Sequence, residues 1–310
     1  MEKDRITKNT SGDNMTFQDP SRNTLKLKNY FDLPAPAKIN LFLHIVGRTD
    51  NGYHLLQSVF QLVSLFDYID LEELSDGKIE RAGDINWSVE SDLCWKAAKL
   101  LQEKCPDKGV RITVRKNIPD GAGLGGGSSD AATVLIGLNQ MWGLGLTRQE
   151  LCGLGVSLGA DVPFFVFGQT AFAEGIGEVL QPVETEEMQF QIIFPGVRVS
   201  TAEIFNHPDL TRNTNLCTIA NLKQQLHNFV QSPWGRNDLE TVARSLYAPI
   251  EQAVKLLTPF GNPRMSGSGS AVYVAEKNLD KKSVKIPLPE NWRQWAVKGL
   301  KKHPLWSWTC

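Results

Sequence analysis

Hydrophobic and polar positions alternate along PAPAKINLFLHIVGR, where Ile39, Leu41, Leu43 and Ile45 interleave with Asn40, Phe42, His44 and Val46. A period of two predicts a strand. Thr49-Asp50-Asn51-Gly52 follows as a turn, because Asn and Gly tolerate the positive φ angles of tight reversals. A second extended stretch runs from about Ser58 to Glu72. The pattern then predicts a helix from about Asp92 to Glu103 and a strand from Arg111 to Lys116, with Ile112 and Val114 on one face. Beyond a run of glycines, Ala131, Leu135, Leu138 and Met141 recur at helical spacing. Thr147-Arg148-Gln149-Glu150 has the form of a capping box and opens another helix, closing near Gly159.

Further along, Phe190 to Phe194 reads as a strand, and the chain to about Pro233 reads as loop. Val242, Leu246, Ile250, Val254 and Leu257 form one stripe and predict a single long helix from Asp238 to Leu257. A second glycine-rich turn, MSGSGS at Met265 to Ser270, leads into the alternating strand AVYVAE. No internal repeat interrupts this order.

Composition narrows the function classes. The chain has 310 residues, 41% hydrophobic and 22% charged, which is ordinary for a globular protein. A formal net charge of -1 offers no general attraction to nucleic acid or to an anionic membrane. Cys94, Cys105, Cys152, Cys217 and Cys310 are odd in number and widely spaced, which reads as reduced thiols in a cytoplasmic protein rather than a disulfide framework. No apolar run is long enough for a membrane span. Residues 1–33 are polar and read as a disordered extension, and its acidic residues count against a targeting peptide.

The candidate chemistry centres on PDGAGLGGGSSDAA. Pro119, Asp120, Gly121, Ala122, Gly123, Leu124, Gly125, Gly126 and Gly127, followed by Ser128 and Ser129 at a helix start, place backbone N–H groups and a helix dipole where a phosphate can sit. Side chains at the glycines would block the backbone angles and the close approach. Gly121, Gly123 and Gly126 also satisfy G-x-G-x-x-G, but a dinucleotide fold needs an acid at a strand end about 20 residues on. Glu150, the nearest, belongs to a helix start. A P-loop would need Lys-Ser or Lys-Thr after the glycines, and there is none. A flexible loop without a ligand is the bland alternative. Asp130 reads as ordinary compensation of the helix dipole in its first turn.

Three segments in this order, PAPAKINLFLHIVGRTDNGYH, IPDGAGLGGGSSDAATVLIGLN and PRMSGSGSAVYV, resemble the three motifs of GHMP kinases. Within that superfamily the chain is most similar to the kinases of 4-diphosphocytidyl-2-C-methylerythritol. GADVPFFVFGQTAFAEGIGE and NDLE match as well, so the resemblance spans roughly Pro34 to Glu276. It implies a two-domain α+β fold, with a ribosomal protein S5 domain 2-like ATP-binding domain over residues 34–180, a GHMP kinase C-terminal domain over 181–303, and a tail over 304–310. Trp306 and Trp308 of that tail are expected to pack on the body.

The activity implied is transfer of the ATP γ-phosphate, with Mg2+, to a cytidine diphosphate-linked methylerythritol. The resemblance makes Asp161 of GADVP the base and Lys38 of PAKIN its electrostatic partner. On their own, Asp161 would read as a turn aspartate and Lys38 as an edge charge. The resemblance also assigns Asn40, Tyr53 and His54 to the cytidine end of the substrate, Phe205 to stacking on the base, and Ser268 to the site floor. Read without it, Tyr53 and His54 are surface or core residues, Phe205 is core, and the Ser268 turn is a plain reversal. No His, Cys or carboxylate cluster has metal-ligand spacing, so the metal is expected to arrive with ATP.

Two other readings stay open. A GHMP kinase for another alcohol would share the glycine loop but not the NGYH and GADVPFF contexts. A silent metabolite sensor of the same fold would have no need of both Lys38 and Asp161.

Overall fold

The structure, a computed structural model, describes residues 27–50, 52–84, 87–227, 229–231, 234–276 and 286–309. The expected extension over residues 1–26, and Cys310, lie outside them. In chain order the strands are β1 (Asn29–Arg48), β2 (His54–Leu74), β3 (Ile79–Gly83), β4 (Gly109–Arg115), β5 (Ala171–Glu174), β6 (Val179–Pro182), β7 (Gln189–Phe194), β8 (Arg264–Met265), β9 (Val272–Glu276) and β10 (Arg293–Leu300). The helices are α1 (Leu93–Gln102), α2 (Gly126–Trp142), α3 (Arg148–Val156), α4 (Val162–Phe167), α5 (Thr201–Asn206), α6 (Ile219–Leu226), α7 (Glu240–Leu246) and α8 (Ala248–Leu257).

β2 is the spine of the sheet. Antiparallel β1 runs along it from Asn29↔Glu72 to Arg48↔His54. Its other edge is shared in turn by β5 at Ser58–Phe60, β10 at Leu62–Val63 and β4 at Tyr68–Leu74. β10 then continues the sheet to β7, β9 and β8. The chain reverses between β1 and β2 near the predicted turn, with Gly52 at φ 88° and the Gly52 N–H donating to the Thr49 carbonyl; Asn51 lies outside the described residues.

α2 is apolar nearly all round, and Ala131, Ala132, Val134, Leu135, Ile136 and Leu138 are all buried. A helix of that kind belongs in a core rather than on a surface. Its neighbours are α1, α4, β1 and β2. α1 is capped by Asp92, which accepts from the N–H groups of Cys94 and Trp95. α3 opens on the predicted capping box, with Thr147 and Glu150 each satisfying the other's backbone N–H.

Three expectations need correction, and one strand was not foreseen. Residues 29–33, assigned to the extension, already belong to β1; Leu33 is buried, and the Tyr30 ring lies 4.9 Å from that of Trp308. The single helix over 238–257 is two helices, broken at Tyr247 (φ -124°, ψ 90°), because Pro249 in the first turn of α8 has no N–H to continue α7. The stretch to residue 233 contains α5 and α6. β10 lacks a clean alternation, since most of its residues are only half-covered.

The tail does pack on the body. Arg148 on α3 lies with its guanidinium 3.6 Å from the centre of the Trp306 ring. It donates to the carbonyls of Val166 (3.1 Å), Trp306 (2.8 Å) and Thr309 (2.8 Å). The His303 N–H donates to Gly168 at the end of α4 (2.7 Å). Arg148→Ala removes charge-assisted bonds and a partly buried cation–π contact, so it should lower unfolding stability by about 2–4 kcal/mol. Urea unfolding measures this, and an unchanged midpoint would mean that the tail does not hold α3 and α4 together.

Candidate active site

β1, the glycine loop and the 266–270 turn meet at one point. The Lys38 N–H donates to the Leu124 carbonyl (2.9 Å) and the Ala271 N–H to the Ala122 carbonyl (3.0 Å). The Ser266 hydroxyl donates to the Gly123 carbonyl (2.9 Å) and accepts from the Asn40 N–H (3.3 Å). Gly123 has φ 73°, and a Cβ there would collide with the Ser266 carbonyl oxygen. At Gly125, also at φ 73°, a Cβ would fall 2.7 Å from the Phe165 ring. Glycine is therefore needed at both positions, for backbone angle and for space.

Gly125 stands at the N-terminus of α2 and supplies no side-chain cap. The first N–H groups of a helix lack intrahelical partners, so this end presents donors and positive dipole outward. It opens on a cavity of about 350 Å³, whose wall includes Lys38, Asn40, Gly121, Gly123, Gly125, Ser128, Asp161, Thr201, Phe205 and Ser268.

Lys38 is buried on β1. Its Nζ donates to Asn40 Oδ1 (2.7 Å) and stands 3.5 Å from Asp161 Oδ2. It also lies 4.9 Å from the centre of the Phe60 ring. Asn40 is oriented in turn by Ser58, whose hydroxyl accepts from Asn40 Nδ2 (2.8 Å) and donates to the Phe42 carbonyl. Asp161 sits at the N-cap of α4 yet makes no capping bond, and its side chain is 33% exposed. The carboxylate is thus free of structural duty and reachable from the cavity. Such a pair can take a proton from a hydroxyl and offset negative charge beside it.

Phe205, on α5, faces the cavity, and His54 stands behind it with ring centres 5.0 Å apart. Arg212 Nε donates to His54 Nε2 (3.2 Å). Partial burial, with the guanidiniums of Arg48 and Arg212, holds the imidazole below its ordinary value. A neutral ring accepting at Nε2 carries its proton on Nδ1, which is then a donor. Tyr53 is 60% exposed at the β1–β2 turn and lines no part of the cavity.

The glycine loop divides its residues between two sides. Ala122, Leu124 and Ser129 turn inward and are buried, so only their backbone can serve a ligand. Pro119 and Asp120 line a separate cavity of about 470 Å³. Gly126 and Gly127 form the first turn of α2. Asp130 departs from the dipole-compensating role expected of it: it lies beyond the first turn, is buried, and pairs with Lys116 (2.7 Å). Thr201, Ser266, Ser58 and Arg212 were not foreseen. Thr201 Oγ1 lies 2.8 Å from Ser268 Oγ, which ties α5 to the cavity floor. Only Ser266, two residues from Ser268 in the same motif, carried a sequence signal.

Comparison with known proteins agrees with this geometry. Residues 92–169 match the GHMP kinases N terminal domain. The 4-diphosphocytidyl-2-C-methyl-D-erythritol kinase of Janthinobacterium sp. (strain Marseille) is 49% identical over 280 residues, covering 88% of this chain and 95% of its own. That of Herminiimonas arsenicoxydans is 47% identical, covering 88% and 96%. Among solved structures, a 4-(cytidine 5'-diphospho)-2C-methyl-D-erythritol kinase superposes with a TM-score of 0.74 at 32% identity, covering 88% of this chain and 99% of its own. A mevalonate kinase, at 14% identity and a TM-score of 0.59 over 87% of this chain and 99% of its own, shares the fold. With relatives this similar along nearly their whole length, the chain belongs to the 4-diphosphocytidyl-2-C-methyl-D-erythritol kinase family of GHMP kinases.

Proposed function

We propose that this chain transfers the γ-phosphate of ATP to the 2-hydroxyl of 4-diphosphocytidyl-2-C-methyl-D-erythritol, giving the 2-phosphate and ADP. The observation that carries the reading is the Lys38–Asp161 pair on the wall of the cavity into which the uncapped end of α2 opens. Phosphoryl transfer asks a protein mainly for positioning and charge stabilisation. Asp161 Oδ2 accepts the proton of the substrate hydroxyl as its oxygen bonds to the γ-phosphorus. The bond from that phosphorus to the β,γ-bridging oxygen breaks, and the electron pair leaves on ADP. Lys38 stands beside both centres and offsets the charge on the phosphoryl oxygens.

The phosphates rest on the backbone N–H groups of the glycine loop and the start of α2. Among the described residues, no group of three or more His, Cys, Asp or Glu side chains is placed to hold a metal. That donor set fits a magnesium ion held mainly by phosphate oxygens and water, which supplies charge neutralisation when bound. At the cytidine end, Phe205 offers an aromatic face and His54 an Nδ1–H donor suited to the acceptor edge of cytosine. Asn40 and Ser268 complete the pocket, and Tyr53 would have to reach it from the turn.

The proposed division places the ATP-binding domain to about residue 180, now beginning with β1 at Asn29 rather than at 34, and the second domain over 181–303. The boundary falls in the β6–β7 region, with β10 pairing to strands of both. The four described cysteines are free thiols, and no described helix is long and apolar enough to cross a membrane. Both fit a reaction carried out in the cytoplasm.

Asp161→Asn should lower turnover by about 100-fold or more, since a positioned base contributes roughly 10²- to 10⁴-fold. Coupled ADP release with the cytidine substrate and a panel of other alcohols reads this, and near-normal turnover would remove the base. Gly123→Ala forces the loop off the Ser266 carbonyl at an αL position, so its KM for ATP should rise about tenfold or more. An unchanged KM in the folded variant would take the phosphates away from this loop. Phe205→Ala should raise KM for the cytidine substrate roughly tenfold while kcat falls less; equal KM values would dismiss stacking.

A further inference from the structure

Beneath the glycine loop lies a charge cluster that the chemistry above does not use. Lys116 follows the last residue of β4, and its Nζ lies 2.5 Å from Asp67 Oδ2 and 2.7 Å from Asp130 Oδ2. Asp67, on β2, is fully buried. Its other oxygen accepts from the backbone N–H groups of Asn117 and, at 2.8 Å, Ile118, the two residues that lead into the loop. Asp130 belongs to α2, the helix that leaves the loop. A Cβ at Gly126, the first residue of that helix, would stand 3.2 Å from Lys116 Nζ. One ammonium therefore ties the incoming strand, the sheet beneath and the outgoing helix together.

The cluster is unbalanced in charge. One ammonium against two carboxylates leaves a net negative charge, and Asp130 Oδ1 is buried without a hydrogen-bond partner. Burial pushes the Asp130 carboxyl up to about 8; Lys116 opposes the rise and Asp67 adds to it. From α1, Cys94 is also in reach, its thiol pushed well up by burial and by Asp130, and the Asp84 carboxylate accepts from the Lys116 backbone N–H (3.1 Å). Behind Cys94, Arg81 and Asp92 pair with each other at 3.1 Å. Burial thus favours the protonated form of Asp130, which lessens the negative charge beside the phosphate-facing end of α2.

We propose that Lys116 is a positioning residue for ATP: clamped between Asp67 and Asp130, it sets the spacing of the strand and helix that carry the glycine loop and aims the free N–H groups of α2. Protonation of Asp130, favoured by its burial, keeps negative charge from beneath the phosphates. This rests on the loop being the ATP site, which Gly123→Ala tests separately. Lys116 itself need not touch the nucleotide.

The test is steady-state kinetics of Lys116→Met and Asp130→Asn with both substrates varied, from pH 6.5 to 9. Lys116→Met leaves Asp67 and Asp130 without the ammonium that joins them and lets the loop shift. Its KM for ATP should rise about tenfold or more, with KM for the cytidine substrate within about twofold. In the unaltered protein, KM for ATP should climb above pH 8, because deprotonating Asp130 places a negative charge under the phosphates. Asp130→Asn mimics the protonated acid, so it should keep a near-normal KM at pH 7 and lose most of that climb. Normal KM for ATP in folded Lys116→Met, or equal rises for both substrates, would overturn the proposal. Should Lys116→Met fail to fold, Asp130→Asn decides: a flattened profile supports the proposal, and an unchanged climb overturns it.

Discussion

The structure depends on a close contact between two glycine-rich turns. Where the loop after β4 passes the turn before β9, the backbone at Gly123 comes so near the Ser266 carbonyl that no side chain fits between them. The Ser266 hydroxyl then reaches both the Gly123 carbonyl and the Asn40 N–H. Because Lys38 bonds through its own N–H to the next residue of the loop, Leu124, that contact also sets the depth of β1. Glycine loop, cavity floor and Lys38 are thereby placed by one piece of backbone geometry. Binding groups held by main-chain bonds among strands and a helix have little freedom to drift, which is what positioning chemistry requires.

Within that frame, the charge and distance of the partners separate residues of the same type. Lys116 has two carboxylates at 2.5 and 2.7 Å, which together outweigh its own charge. Lys38 has one amide oxygen at 2.7 Å and one carboxylate at 3.5 Å, so its ammonium retains a donor for the cavity. The aspartates divide in the same way. Asp92 uses its carboxylate to cap α1, whereas Asp161 occupies the corresponding position on α4 and caps nothing. A carboxylate left out of its local structural role, yet facing a lysine across a cavity, is where a base is to be sought.

What could be read from the sequence was what local pattern dictates. The strand over Ile39–Ile45, the reversal at Gly52 and the Thr147–Glu150 capping box are short-range signals, and each appears in the structure, although β1 is buried on both faces there. The glycine loop was legible for the same reason, since its conformation is written in its own residues. Long-range partners were not. Asp130 looked like a dipole residue because nothing nearby in sequence reveals Asp67, 63 positions away. The Val242–Leu257 stripe concealed the break at Pro249, because both halves turn their apolar faces to the same core. β10 was missed because it lies half-covered and therefore shows no strict alternation. Ser266 and Ser268 look alike in MSGSGS; only the fold distinguishes the hydroxyl that joins the loops from the one that meets Thr201.

The two ends of the cavity differ in how firmly they are built. α4, which carries Asp161, is only six residues long and could not hold its place alone. Pro163 is in its first turn, which the fixed φ of proline suits, and the helix ends at Gly168 in the left-handed conformation. There the tail takes over, with His303 bonding Gly168 and Arg148 bonding Val166. The Phe205 end instead hangs on α5 and the segment after it, tied by Arg212 to the carbonyls of Phe205, His207 and Leu210. Arg212 thus helps to organise the wall that would meet the base, while the helix bearing Asp161 is held at its C-terminal end by α3 and the tail. On the proposed reading, the chemistry that tolerates little displacement would stand on a wall held by several elements, and recognition of a large, flat group on a loop-borne one.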